Sequence, residues 1–209
     1  MKFRFVFFDV DSTLVTIEGI DVLGGRNPEI ARLTERAMNG EIALEDVYAK
    51  RLEIIRPSRA AVEALGDRYV ASIVPGAAEA VAALRGCGVQ VHLVSAGIAQ
   101  AIYPLASHLG IEQRAVHAVA LRFNAAGEYE DFDRRSFLTR SGGKELVVRD
   151  VRARTHGKAA FVGDGASDLE AKPAVDLFIG FGGVLARPKV KENAAVFAMT
   201  FDEVLKALT

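Results

Sequence analysis

Two aspartates stand two residues apart in Asp9-Val10-Asp11-Ser12-Thr13, just past the apolar run 3–8. On an extended segment such residues face the same way, so both carboxylates can address one ligand. One can attack phosphorus and form an acyl phosphate, while its neighbour protonates the leaving alkoxide and then activates water. The first role suits Asp9 and the second Asp11. A third acid, Asp164, sits in Gly163-Asp164-Gly165-Ala166-Ser167-Asp168 at the end of another apolar run. Carboxylates held that close repel one another unless a cation lies between them. Hard oxygen donors with positions left for water and phosphate favour Mg²⁺, which would offset charge on a transferring phosphoryl group. Lys144 follows Gly142-Gly143 at an expected helix start and offers a second positive charge. Ser95 and the backbone amides of Ala96 and Gly97 are expected to open a helix, a place for phosphate oxygens.

These residues can meet only if several strand ends share one edge. The apolar runs 3–8, 89–94, 159–162 and 177–181 are separated by helix-length segments and read as strands of a parallel sheet buried on both faces. An α/β doubly wound core follows, and its ligands sit at the carboxyl ends of the strands. Over 18–72 no strand-like run occurs, and apolar residues recur at helical spacing, as in Leu44, Val47, Tyr48, Leu52 and Ile55. With Pro28 and Pro57 placed at helix starts, three or four short helices are expected there. They form a helical insert over the end of the first strand, and Val74-Pro75-Gly76 returns the chain to the core. The expected division is a catalytic core of 1–15 and 76–209 with a cap of 16–75. Residues 119–123 and 128–132, flanking Asn124-Ala125-Ala126-Gly127, predict a β-hairpin.

A net charge of -1 with no dominant Lys/Arg run argues against a nucleic-acid partner. The single Cys87 forms no intramolecular disulfide and no thiolate metal cluster. The four histidines lack HExxH spacing, and no GxSxG elbow occurs. The run 1–8 is too short for a signal h-region or a membrane span. A cytoplasmic protein without a membrane partner, monomeric or homodimeric, is expected.

Taken in order, Asp9 to Thr13, Ser95, Lys144 and Gly163 to Asp168 resemble the four signatures of the haloacid dehalogenase superfamily. Within it the likeness is to the phosphoserine phosphatases, and it extends through Glu18-Gly19-Ile20-Asp21, residues 36–40, residues 51–59, Ser141-Gly142-Gly143-Lys144 and residues 178–183. The resemblance implies a Rossmann-like parallel sheet core with a helical cap inserted after the first strand. It also implies an aspartyl-phosphate on Asp9, Asp11 as acid and base, and Mg²⁺ held by Asp9, the backbone carbonyl of Asp11, and Asp164. By the same likeness Asp168 orients metal-bound water or Lys144, and Glu18, Met38 and Arg51 grip the amino acid part of the substrate. Glu18 would pair an ammonium and Arg51 a carboxylate. The expected reaction is hydrolysis of L-phosphoserine; the alternative is a phosphatase or phosphotransferase of the same superfamily for another small phosphorylated metabolite. Two positions depart from the pattern. Ala96 stands where the family usually has glycine, and Leu44 where it commonly has phenylalanine.

Overall fold

The computed structural model describes residues 2–25, 27–154 and 156–209, so Met1, the first residue of the run 1–8, lies outside the described residues. The chain runs β1 (Phe5–Phe8), then α1 (Gly19–Leu23), α2 (Pro28–Met38), α3 (Leu44–Ile55) and α4 (Arg59–Ala71). It continues through α5 (Ala77–Gly86), β2 (Gln90–Ile98), α6 (Ala99–His108), β3 (Val116–Val119), β4 (Leu121–Phe123) and β5 (Tyr129–Phe132). The last part is α7 (Gly143–Ala153), β6 (Ala159–Gly163), α8 (Ala166–Leu169), β7 (Leu177–Phe181), α9 (Pro188–Asn193), β8 (Val196–Ala198) and α10 (Phe201–Leu208).

Six strands form one parallel sheet in the order β3-β2-β1-β6-β7-β8. All four residues of β1, Phe-Val-Phe-Phe, are buried, which a strand achieves only in the middle of a sheet covered on both faces. One face carries a row of rings from His117 through His92, Phe7 and Phe161 to Phe178, with successive centroids 5.4, 5.2, 6.5 and 6.2 Å apart. On this side α7 holds Lys144 Nζ 6.0 Å from the Phe161 ring centroid. On the other face Phe8 and Phe181 pack against Phe201 of α10. Helices therefore cover both faces, as a doubly wound sheet requires.

Between β1 and α5 the chain is helical, and an antiparallel bridge, Val15 to Ile73, clamps the two connections to the core. Pro28 opens α2, with Asn27 capping it. Pro57 does not open α4: Ser58 is the cap, its Oγ accepting from Ala61 N–H, and Pro57 instead closes off α3. The hairpin forms from β4 and β5, but Val119 belongs to β3 rather than to its first arm. Two strands escaped the sequence reading. β3 is an edge strand with one buried residue, and β8 has three residues, so neither shows a sustained apolar run. Ser95, Ala96 and Gly97 do not open a helix, because β2 runs on to Ile98, which pairs with Val119 after an irregularity, and α6 starts at Ala99. Among the described residues, no helix is long and apolar enough to cross a membrane.

Candidate active site

Past β1 the chain turns sharply. The amides of Thr13 and Leu14 both donate to the Val10 carbonyl, at 3.2 and 2.9 Å, and Ser12 takes a φ of 53°. That left-handed conformation costs a non-glycine residue about 1 kcal/mol. Asp9 emerges at this edge with Oδ1 2.7 Å from Lys144 Nζ, which lies 2.5 Å from Asp168 Oδ1. Lys144 reaches the edge because α7 begins at Gly143. Asp168 Oδ2 accepts from Gly165 N–H at 2.9 Å, an approach that requires Gly163, since a Cβ there would run into the Asp168 carboxyl group. At the end of β6, Asp164 accepts from Thr13 Oγ1 at 3.2 Å and from Arg187 Nε at 3.1 Å. Asp9, Asp164 and Asp168 each present an oxygen within 4.8 Å of the other two.

Burial first, and the Asp168 carboxylate next, push Asp9 well above the ordinary carboxylate range, against the opposing pull of Lys144. The same two causes push Asp164 up to about 7, with Arg187 opposing. Burial works against the charge on Lys144, yet Asp168 and Asp9 together raise its pKa. Two cationic side chains thus leave three crowded carboxylates undercompensated, and an oxygen-only donor set of this kind fits a hard divalent cation.

The carboxylate of Asp11 is not in this cluster. Its Oδ1 accepts from Gly19 N–H and from the Tyr69 hydroxyl, both at 2.7 Å, and its Oδ2 lies 3.4 Å from Ser95 Oγ. Gly19 and Tyr69 hold that carboxylate, which lines the same cavity as Asp9, and Asp168 rather than Asp11 completes the acidic cluster. Burial raises the Asp11 pKa, while bonds from Tyr69 and Gly19 pull it back. Residue 19 has to be glycine here, because a Cβ would take the place of the Tyr69 hydroxyl.

Above this floor lie the helices. Glu18 accepts from Ser12 Oγ at 2.5 Å, and burial followed by the Asp11 charge raises its pKa well above the usual range. Arg51 on α3 is 6% exposed; its Nη1 donates to Thr34 Oγ1 at 3.2 Å, and its Nε has no hydrogen-bond partner among the described residues. Burial lowers the Arg51 pKa. Glu18, Met38, Leu44 and Arg51 line, with Asp9, Asp11, Ser95, Ala96, Gly97 and Lys144, a cavity of about 80 Å³. Asp164 and Asp168 lie beneath it. Sequence reasoning missed Thr13, Tyr69 and Arg187. Tyr69 shares helical spacing with Val62 and Leu65 and so reads as core, and Arg187 is one charge in a loop.

Residues 6–171 match the family model described as haloacid dehalogenase-like hydrolase. The phosphoserine phosphatase of Mus musculus is 40% identical over 207 residues, covering 97% of this chain and 92% of its own. A phosphoserine phosphohydrolase-like protein from Francisella tularensis superposes with a TM-score of 0.90 at 25% identity, over 99% of this chain and 100% of its own. A phospho-aspartyl intermediate analogue of phosphoserine phosphatase superposes with a TM-score of 0.85 at 26% identity, over 99% of both chains.

Proposed function

The chain belongs to the haloacid dehalogenase-like hydrolase family, and we propose that it is the Mg²⁺-dependent phosphatase that releases L-serine and phosphate from L-phosphoserine. The observation that carries the substrate is Arg51, a buried guanidinium whose Nε lacks an acceptor and which shares one small cavity with Glu18 and Asp9. A buried unpaired donor is costly, so the site is built for an acceptor that arrives from outside. Phosphoserine supplies one in its carboxylate, and its ammonium suits Glu18.

In the first half-reaction an Asp9 oxygen bonds to phosphorus as the ester P–O bond breaks. The departing serine oxygen takes a proton from Asp11. That proton sits on Oδ2, because Oδ1 already accepts two donors, and burial favours the protonated acid. In the second half-reaction water returns a proton to Asp11 Oδ2 and bonds through oxygen to phosphorus, releasing Asp9 and phosphate. Lys144 holds Asp9 in line and adds charge for the phosphoryl oxygens. Asp9 and Asp164, with the Asp11 carbonyl and with Asp168 beside them, would hold Mg²⁺, which would keep Asp9 ionised and offset phosphoryl charge. Residues 16–75 act as a cap on a core of 1–15 and 76–209, and its closure excludes water.

The test is a comparison of kcat/KM for L-phosphoserine, phosphothreonine, phosphoethanolamine, sugar phosphates and nucleotides, with Mg²⁺ and with EDTA. L-Phosphoserine should lead the panel, with turnover lost in EDTA and restored by Mg²⁺. Equal turnover of phosphoethanolamine, which has no carboxylate, would remove the substrate assignment and leave a phosphatase of another small ester.

A further inference from the structure

We propose that Tyr48 is a positioning residue: its hydroxyl sets the orientation of the Ala96–Gly97 peptide at the phosphate end of the cavity and ties that peptide to the helix that carries Arg51. The inference rests on the phosphatase reading above and adds to it a residue that the sequence shows only as one of the apolar positions of α3.

The Tyr48 hydroxyl donates to the Ala96 carbonyl at 3.0 Å, a bond from α3 to the end of β2. In a trans peptide the C=O and the following N–H point in opposite directions. With the Ala96 oxygen held toward α3, the Gly97 N–H is turned the other way, where it donates to Ser95 Oγ at 2.9 Å, beside Asp11. A rotated peptide would present carbonyl lone pairs to the phosphate and repel it. Alanine at 96 narrows the backbone freedom that glycine would leave, and the tyrosine bond fixes the orientation that remains.

The phenol is itself fixed. Tyr48 is 5% exposed, and its ring meets Phe132 of β5 edge-on at 5.1 Å. Burial raises its pKa, so the hydroxyl stays a donor. One turn along the same helix, the Arg51 guanidinium carbon lies 6.0 Å from the Tyr48 ring centroid, within reach of a cation–π contact. A single aromatic side chain thus touches the group proposed to read the carboxylate and a peptide that lines the same cavity beside Ser95 and Asp11. The two ends of a phosphorylated amino acid are gripped together when the cap is seated.

The test is Tyr48→Phe, which keeps the ring and removes the donor. Orthophosphate binding is measured by calorimetry with Mg²⁺, together with KM and kcat for L-phosphoserine and p-nitrophenyl phosphate and with Tm. Orthophosphate Kd and both KM values should rise about tenfold, about the worth of one hydrogen bond to the phosphate lost when the peptide turns. A lower Tm with unchanged orthophosphate Kd would reduce Tyr48 to a packing residue and overturn the proposal, as would a wild-type protein that does not bind orthophosphate. Failure of the substrate assignment looks different: L-phosphoserine is not turned over by the wild type, while the orthophosphate difference between the two proteins persists.

Discussion

Arg51 is held at one nitrogen by Thr34 and left open at another, in a setting where bulk water cannot complete the set. Removing the side chain therefore removes a buried unpaired donor along with the ligand contact. Arg51→Ala should raise KM for L-phosphoserine by about 10- to 100-fold, the range for a charged hydrogen bond, with little change for p-nitrophenyl phosphate, which has no carboxylate. Parallel steady-state kinetics on the two esters decide it, and equal effects on both would show that Arg51 does not read the carboxylate. Asp9 invites a second substitution, because burial and Asp168 disfavour its charge in the metal-free protein. Asp9→Asn keeps the shape and relieves that repulsion. In EDTA it should melt no lower than the wild type, Mg²⁺ should raise its Tm less, and turnover should fall by more than about a thousandfold. A variant that unfolds in EDTA would mean that the Lys144 pairing outweighs the crowding. Asp9 and Lys144 were legible in the sequence because each stands in a short motif whose neighbours point to a strand end or a helix start. Tyr69, whose hydroxyl donates to Asp11 Oδ1, was not, because it looks like any other buried aromatic on an amphipathic helix.

The strand β6 and the turn that follows it show how an element positions a site. Gly163 lets the chain pass close under the Asp168 carboxylate, which braces both Gly165 N–H and Lys144. Gly163→Ala should push that carboxylate off both partners, costing about 1–3 kcal/mol of stability as an overpacked site does and lowering kcat at least tenfold. Gly86→Ala is the control. At the end of α5 a new Cβ meets nothing within 4 Å, and the change should stabilise by about 0.4–1 kcal/mol. Urea unfolding of both variants checks the pair, and similar stability losses would show that the effect is not specific to the site. Strands such as β6 and β7 were readable because five consecutive residues each, mostly apolar, are bounded by glycine or a turn. The continuation of β2 through Ser95 to Ile98 was not, since Ser-Ala-Gly matches a helix-opening loop equally well and only pairing with β3 decides between them. The helical block after β1 was legible from spacing and proline placement, whereas its clamp, Val15 to Ile73, depends on two residues 58 positions apart.

Over the molecule as a whole, pH acts on two groups of residues in opposite senses. The site acids have folded pKa values above their unfolded ones, Asp164 reaching about 7, so without a cation the folded chain binds extra protons below that value and gains stability as pH falls. His92 does the reverse. It stands in the sheet's row of rings between Phe7 and His117, with Nδ1 3.2 Å from His117 Nε2, and burial followed by the His117 charge lowers its pKa to about 4. Between about 4 and the ordinary histidine value of about 6.5 the unfolded chain takes a proton that the folded one refuses, so this contribution falls as pH drops through that window and is constant above it. Comparing wild type with His92→Phe, which keeps the ring in the stack, cancels the site acids and isolates the histidine. Stability from urea unfolding in EDTA at pH 7.5 and pH 4.5 should fall more steeply in the wild type, by on the order of 2 kcal/mol after allowance for partial exposure. Identical pH slopes in the two proteins would show that the folded sheet accepts a proton at His92 as readily as the unfolded chain does.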